Sequence, residues 1–93
     1  MSNRITHVYI QGGRKLTLRF LDGYEGNLDF SEMEFEGIAA PLADESYFQR
    51  MRVEGSSIAW PNEYDICPDV LRLWCERGRV LPDAETHAAL AHP

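Results

Sequence analysis

Apolar and polar positions alternate without a break over Lys15-Leu16-Thr17-Leu18-Arg19-Phe20. This period of two puts Leu16, Leu18 and Phe20 on one face of a strand and Lys15, Thr17 and Arg19 on the other. Upstream, Ile5 to Ile10 is rich in β-formers, and Gln11-Gly12-Gly13-Arg14 supplies a turn between the two runs. Downstream, Asp22-Gly23 reads as a two-residue type I′ hairpin turn, which needs positive φ at both positions. The returning run, Tyr24 to Phe30, keeps Tyr24, Gly26, Leu28 and Phe30 in phase. The three segments predict an antiparallel meander.

The pattern then becomes irregular. Ser31 to Glu36 fits both a short strand and a capping box and is read as a connection. Leu42, Tyr47 and Phe48 are expected to anchor a short turn or helix. Met51 to Val53 and Ser57 to Trp60 predict a second hairpin with Glu54-Gly55-Ser56 at its tip. Pro61 ends that strand because it has no N–H to donate. A helix is expected to follow, with Asp65 or Cys67 as N-cap, Pro68 in the first turn and Gly78 at the end. Val70, Leu71, Trp74 and Cys75 fall on its packed side. Arg72 and Glu76 are read as an exposed pair, and Leu73 as pointing away from the core. Trp60 and Trp74 are expected to lie buried where helix meets sheet. The fold class predicted is α+β: a small antiparallel sheet of about five strands with one main helix packed on it. It occupies residues 1–79 as a single domain, and 80–93 is a C-terminal extension in which Val80-Leu81-Pro82-Asp83 caps a short helix through Leu90.

A chain of 93 residues buries only roughly 60–65% of its unfolded surface, enough for one layer of helix on one sheet. No apolar run reaches the roughly 20 residues of a membrane span, and Met1-Ser2-Asn3-Arg4 is not followed by the core of a signal peptide, so the expected compartment is the cytoplasm. Cys67 and Cys75 match no zinc spacing and are read as buried free thiols. His7, His87 and His92 are dispersed. No metal and no cofactor is expected.

The net charge of -6 is unevenly distributed. Between Arg19 and Arg50 there is no Lys or Arg, while Asp22, Glu25, Asp29, Glu32, Glu34, Glu36, Asp44 and Glu45 all fall there. Direct nucleic-acid binding is disfavoured, because it rests on phosphate neutralisation by clustered cations. A basic protein partner is the natural complement, although an acidic surface also serves solubility alone. The corner Trp60 to Asp69 gathers Glu63, Tyr64, Asp65 and Asp69, which could hold a cation or do acid-base chemistry. Calcium-loop spacing, a nucleophile elbow, a phosphate-cradling glycine loop and a Cys/His or Ser/His/Asp arrangement are all missing from the sequence. No catalytic residue is assigned, and the corner reads as a structural turn.

The segments LRFLDGYEGNLDF, APLADESYF and IAWPNEYDICPDVLRLW, covering most of residues 5–75, together resemble the bacterial domain of unknown function 2442. That resemblance implies a compact α+β fold like the N-terminal domain of a DNA-binding protein of the family, some of whose members carry a separate helix-turn-helix. It also implies small proteins encoded beside another short protein, as in toxin-antitoxin pairs, and no assigned activity. The family's W-P-N-G corner has Glu63 in place of its glycine here, which argues against a strict positive-φ turn. The residues after Gly78 are too few for a helix-turn-helix, so operator reading does not transfer.

The expected function is a small acidic, cytoplasmic, non-catalytic protein-binding module, antitoxin-like or an inhibitor of a basic nucleic-acid-binding partner. Its contact residues would be Asp22, Glu25, Asp29, Glu32, Glu34, Glu36 and Leu73, with homo-oligomerisation left open. The alternative is a small-ligand-binding protein or enzyme using the Trp60–Asp69 corner. A pocket with convergent polar groups beside Trp60 would favour the alternative.

Overall fold

The computed structural model describes residues 3–31, 33 and 35–91, leaving aside the side chains of Asp83 and Ala91. Strands β1 (Ile5–Gly12), β2 (Lys15–Phe20) and β3 (Glu25–Asp29) form the predicted antiparallel meander. Val8 pairs with Leu18 and Leu18 with Gly26, so the apolar face of β2 is continuous with its neighbours. Leu16, Leu18 and Phe20 are buried. A 3-10 segment (Gly37–Ala43) and a one-turn helix α1 (Glu45–Phe48) follow, and Asp44 caps α1 by accepting the Ser46 N–H at 3.0 Å. The anchors Leu42 and Phe48 are fully buried.

The single five-stranded sheet expected from the sequence is replaced by two three-stranded ones. Strands β4 (Arg52–Glu54), β5 (Ser57–Ala59) and β6 (Asp65–Ile66) make a second antiparallel meander. The physical reason lies at the junction. The pairing of β1 with β2 shifts register between Ile5 and His7, and a single backbone bond, Ile5 N–H to Ser56 C=O at 3.1 Å, joins β1 to the second hairpin among the described residues. One bond cannot continue a ladder past a bulge.

Nor is there only one main helix. Helix α2 (Pro68–Arg77) begins after Cys67, not Asp65, and ends at Gly78 with φ 79°. Its Leu71, Trp74 and Cys75 are buried, with Val70 partly so. It lies against β3 so closely that a Cβ built on Gly26 would sit 2.5 Å from the Cys75 Cβ. Gly26 is therefore required by close approach, as its φ is ordinary. Leu73 does not point away as expected; it is partly buried against the core. Helix α3 (Asp83–Ala91) folds back on α2: Leu81 is buried, and the Trp74 indole N–H donates to Thr86 Oγ1 at 3.0 Å. Trp60 and Trp74 are both buried, and Trp60 donates to the Phe48 carbonyl at 2.8 Å. No helix among the described residues is long and apolar enough to cross a membrane.

Candidate functional site

Two hairpin loops position the polar groups that matter most. In the first, Phe20 N–H donates to Tyr24 C=O at 2.9 Å and Gly23 N–H to Phe20 C=O at 3.0 Å. The loop is thus three residues, Leu21-Asp22-Gly23, with positive φ at Gly23 (91°) and not at Asp22. The expected type I′ turn gives way to a three-residue loop closed by a glycine in the left-handed region. In the second, Trp60 N–H donates to Tyr64 C=O at 2.9 Å and Glu63 N–H to Trp60 C=O at 2.9 Å. Pro61-Asn62-Glu63 repeats the first loop, and Glu63 takes φ 70° in the place of Gly23. The expectation that Glu63 opposes a positive-φ turn is overturned. The surrounding hydrogen bonds, including Tyr64 N–H to Asn62 Oδ1 at 3.2 Å, hold the residue there against its own preference.

The acidic interval is less free than its sequence suggests. Asp22 accepts the Tyr24 N–H at 3.1 Å and pairs with Arg72 at 3.1 Å. The Tyr24 N–H, and then the Arg72 guanidinium, hold its carboxyl below the usual range. Asp29, at the end of β3, accepts from the hydroxyl and backbone N–H of Ser31, which lower its pKa. Asp44 is lowered in the same way by Ser46. Glu25 is exposed and faces Arg19 at 3.8 Å. Glu36 is exposed at the start of the 3-10 segment and caps nothing with its side chain. Glu32 and Glu34 lie outside the described residues.

Arg72 was expected on an exposed face, yet its side chain is only 17% exposed. It spans Asp22 and Glu76 and lies over the rings of Tyr24 and Phe20, 3.9 and 5.0 Å from their centroids. Burial disfavours its charge, but hydrogen bonds to Glu76 and Asp22 outweigh this and raise its pKa. Sequence reasoning missed this clamp because Asp22 lies 50 residues from Arg72 along the chain. Cys75 is buried and its thiol is pushed up to about 11, chiefly by burial. Cys67 is exposed, contrary to expectation, because it is the N-cap of α2 and its side chain makes no capping bond.

A groove of about 600 Å³ opens between the 3-10 segment and the chain leading into α3, lined by Met33, Ile38, Tyr64, Trp74, Leu81 and Pro82, with Glu36 and Arg79 among its polar groups. Trp60 does not reach it, being fully buried. Arg79 is held by Glu85 at 3.2 Å. A smaller hollow of about 230 Å³ on the other side of Tyr64 and Trp74 is lined in part by Asp65, Cys67 and His87. No hydrogen bond joins those three side chains among the described residues. Glu63, Asp65 and Asp69 do not converge either: Asp69 accepts from Asn3 at 3.1 Å. Among the described residues no three His, Cys, Asp or Glu side chains gather as a metal-holding group.

A family model described as "Protein of unknown function (DUF2442)" matches residues 5–77. The match ends at the last residue of α2, so Arg79, Leu81, Pro82 and α3, which complete the groove, lie beyond it. No curated protein and no solved structure matches the chain.

Proposed function

From a chain that belongs to the DUF2442 family of proteins of unknown function, we infer a non-catalytic protein-binding module whose acidic surface receives a basic partner. The observation that carries this reading is the excess of carboxylates over cations, with five of the nine cations engaged within the fold and Arg4, Lys15, Arg50 and Arg77 in no ion pair among the described residues. Arg19, Arg52, Arg72 and Arg79 are each paired with a carboxylate, and Arg14 donates to the carbonyls of Leu42 and Ala43. Glu36 and Glu45 form no ion pair among the described residues. The net field is that of the surplus carboxylates; Arg14, Arg19 and Arg72 reach the interval from Phe20 to Gln49 from outside it, and its outward charge rests chiefly on Glu36 and Glu45. The groove beside Glu36 offers Ile38 and Tyr64 as apolar contacts for a partner side chain, with Glu36 and Arg79 at its charged rim, the combination that concentrates binding energy. An antitoxin-like role, or occupation of a nucleic-acid channel by carboxylates standing where phosphates would sit, are the forms of this function that the charge pattern fits best.

The test is capture of partners from an extract of the source organism by the parent chain and by a variant with Glu36 and Glu45 changed to Gln. Steering by these charges acts on association and fades as the Debye length falls from about 10 Å at 0.1 M salt to about 3 Å at 1 M. The reading expects one or more basic proteins that bind the parent at low salt, associate at least several-fold more slowly with the variant, and leave at high salt. Partners captured equally by both chains at both salt concentrations would make the acidic interval a solubility feature only.

A further inference from the structure

The start of β1 is met by the second hairpin, where Ile5 N–H bonds to the Ser56 carbonyl, but from Val8 onward its outer edge has no backbone partner among the described residues, and the strand carries no charge. Ile5-Thr6-His7-Val8-Tyr9-Ile10-Gln11-Gly12 contains no Asp, Glu, Lys or Arg. Natural sheet edges are commonly blunted by Lys, Pro or an inward charge. The directions of the backbone groups follow from β2. Phe20 N–H bonds to Tyr24 C=O, and Arg14 C=O accepts from Phe30 N–H, so the even-numbered residues of β2 address β3. Lys15, Thr17 and Arg19 therefore address β1, where Thr17 faces Tyr9 and Arg19 faces His7. His7 and Tyr9 spend their backbone groups inward, and Val8 and Ile10 point theirs outward, where no backbone partner meets them among the described residues. Side chains follow suit. Tyr9 is 45% and Ile10 39% exposed, on opposite faces of the same strand.

We propose that β1 is a self-association edge, pairing antiparallel with β1 of a second copy about a two-fold axis at Tyr9. This register sets Val8 against Ile10 of the second copy and Ile10 against its Val8, satisfying the four outward backbone groups reciprocally. Tyr9 then faces its own counterpart in a non-hydrogen-bonded pair, where side chains lie closest and aromatic pairs contribute most. On the other face, Val8 and Ile10 cover one another where the core of each sheet runs out. His7 meets Gln11, so no like charges oppose each other. That choice of occupant rests on charge. Two chains of net charge -6 repel across most surfaces, and the charge-free β1 is where they approach without setting carboxylate against carboxylate. By contrast β3 begins with Glu25 and ends with Asp29. The two-fold contact is isologous and closes at a dimer with a continuous six-stranded sheet.

Sedimentation equilibrium between roughly 10 and 500 μM protein reads the association by mass action. The parent is expected to approach twice the monomer mass. Ile10→Lys, which puts a charge on the edge without touching the buried core, is expected to weaken dimerisation at least about tenfold while leaving the circular dichroism and thermal transition of the monomer in place. In a Cys67→Ser background, Tyr9→Cys is expected to form an intermolecular disulfide when oxidised glutathione is supplied to take up the two electrons and two protons, because the two-fold brings that position against itself; adding Ile10→Lys should abolish it. A parent that stays monomeric throughout, a dimer that survives Ile10→Lys, or a Tyr9→Cys chain that does not cross-link would each overturn the assignment.

Discussion

The loops Leu21-Asp22-Gly23 and Pro61-Asn62-Glu63 solve one geometrical problem with different residues. Each joins a buried aromatic to a tyrosine, Phe20 to Tyr24 and Trp60 to Tyr64, with ring centroids 5.8 and 5.5 Å apart. In each, an Asx side chain accepts the tyrosine N–H, Asp22 at 3.1 Å and Asn62 at 3.2 Å. They part at the third loop residue and in what they hold. The first loop reaches across to α2 through Arg72, with charge. The second reaches the 3-10 segment through Asn62 Nδ2, which donates to the Ile38 carbonyl at 2.8 Å, without charge. The backbone path is set by the pattern of hydrogen bonds, and the residue in the left-handed position only modulates its cost. Where the first loop spends a glycine, the second places an exposed Glu63 and relies on its surroundings.

The largest effects should come from the aromatics that seat the two loops. Phe20→Ala and Trp60→Ala each remove a fully buried ring and are expected to cost roughly 3–5 kcal/mol. Trp60→Ala should sit at the upper end, since it also removes the indole N–H from the Phe48 carbonyl, which is left with only the long bond from Met51 N–H at 3.4 Å. Against a total stability on the order of 5–15 kcal/mol, the second variant approaches global unfolding. Urea denaturation of both measures this. If Phe20→Ala proved clearly the worse, the second loop would not be the more deeply seated of the two.

The clamps come next. Arg72→Ala removes a largely buried cation from two ring faces and from Asp22 and Glu76, and about 1–2 kcal/mol is expected. Asn62→Ala loses one hydrogen bond to the 3-10 segment and one to Tyr64, at about 1 kcal/mol. The two should also differ in pH dependence. The folded Asp22 carboxyl titrates below its ordinary value of 3.8, so its contribution is present above the unfolded value and lost as pH falls through the lower folded one. The difference in stability between parent and Arg72→Ala should shrink in that acid range. The difference between parent and Asn62→Ala should not, and denaturation curves at neutral and acid pH decide it.

How much of this was legible in the sequence follows from the range of each interaction. The alternation in β2 and the cap-proline-glycine punctuation of α2 are local, and the pattern along the chain reports them directly. Asp22-Gly23 announces a turn, but whether two residues or three close it depends on which carbonyl meets Gly23 N–H. The second loop was legible as a structural turn but not as a left-handed one, because Glu63 is a poor advertisement for positive φ. Strand β6 is two residues long and lies below any periodic signal. Its pairing of Ile58 with Ile66 completes the second sheet, which the junction at Ile5 and Ser56 keeps apart from the first. Arg72 was legible as an i, i+4 partner of Glu76 and illegible as the partner of Asp22. The groove was out of reach, since it depends on Leu81 and α3 returning over Trp74.

The smallest effects lie at the two left-handed positions and should have opposite signs. Gly23→Ala has room for its Cβ, as nothing lies within 4 Å of it. Its cost is conformational alone, about 1 kcal/mol for placing an L-residue at φ 91°. Glu63→Gly does the reverse. It releases about 1–2 kcal/mol of left-handed strain but returns roughly 0.4–1 kcal/mol through the greater freedom of the unfolded chain, leaving a net stabilisation of about 0.5–1 kcal/mol by that same balance. Denaturant midpoints at constant m-value measure both. Opposite shifts of comparable size would show that the two loops share one backbone constraint. A loss of stability in Glu63→Gly would mean that the glutamate side chain itself holds the corner, so that the likeness of the loops ends at their hydrogen bonds.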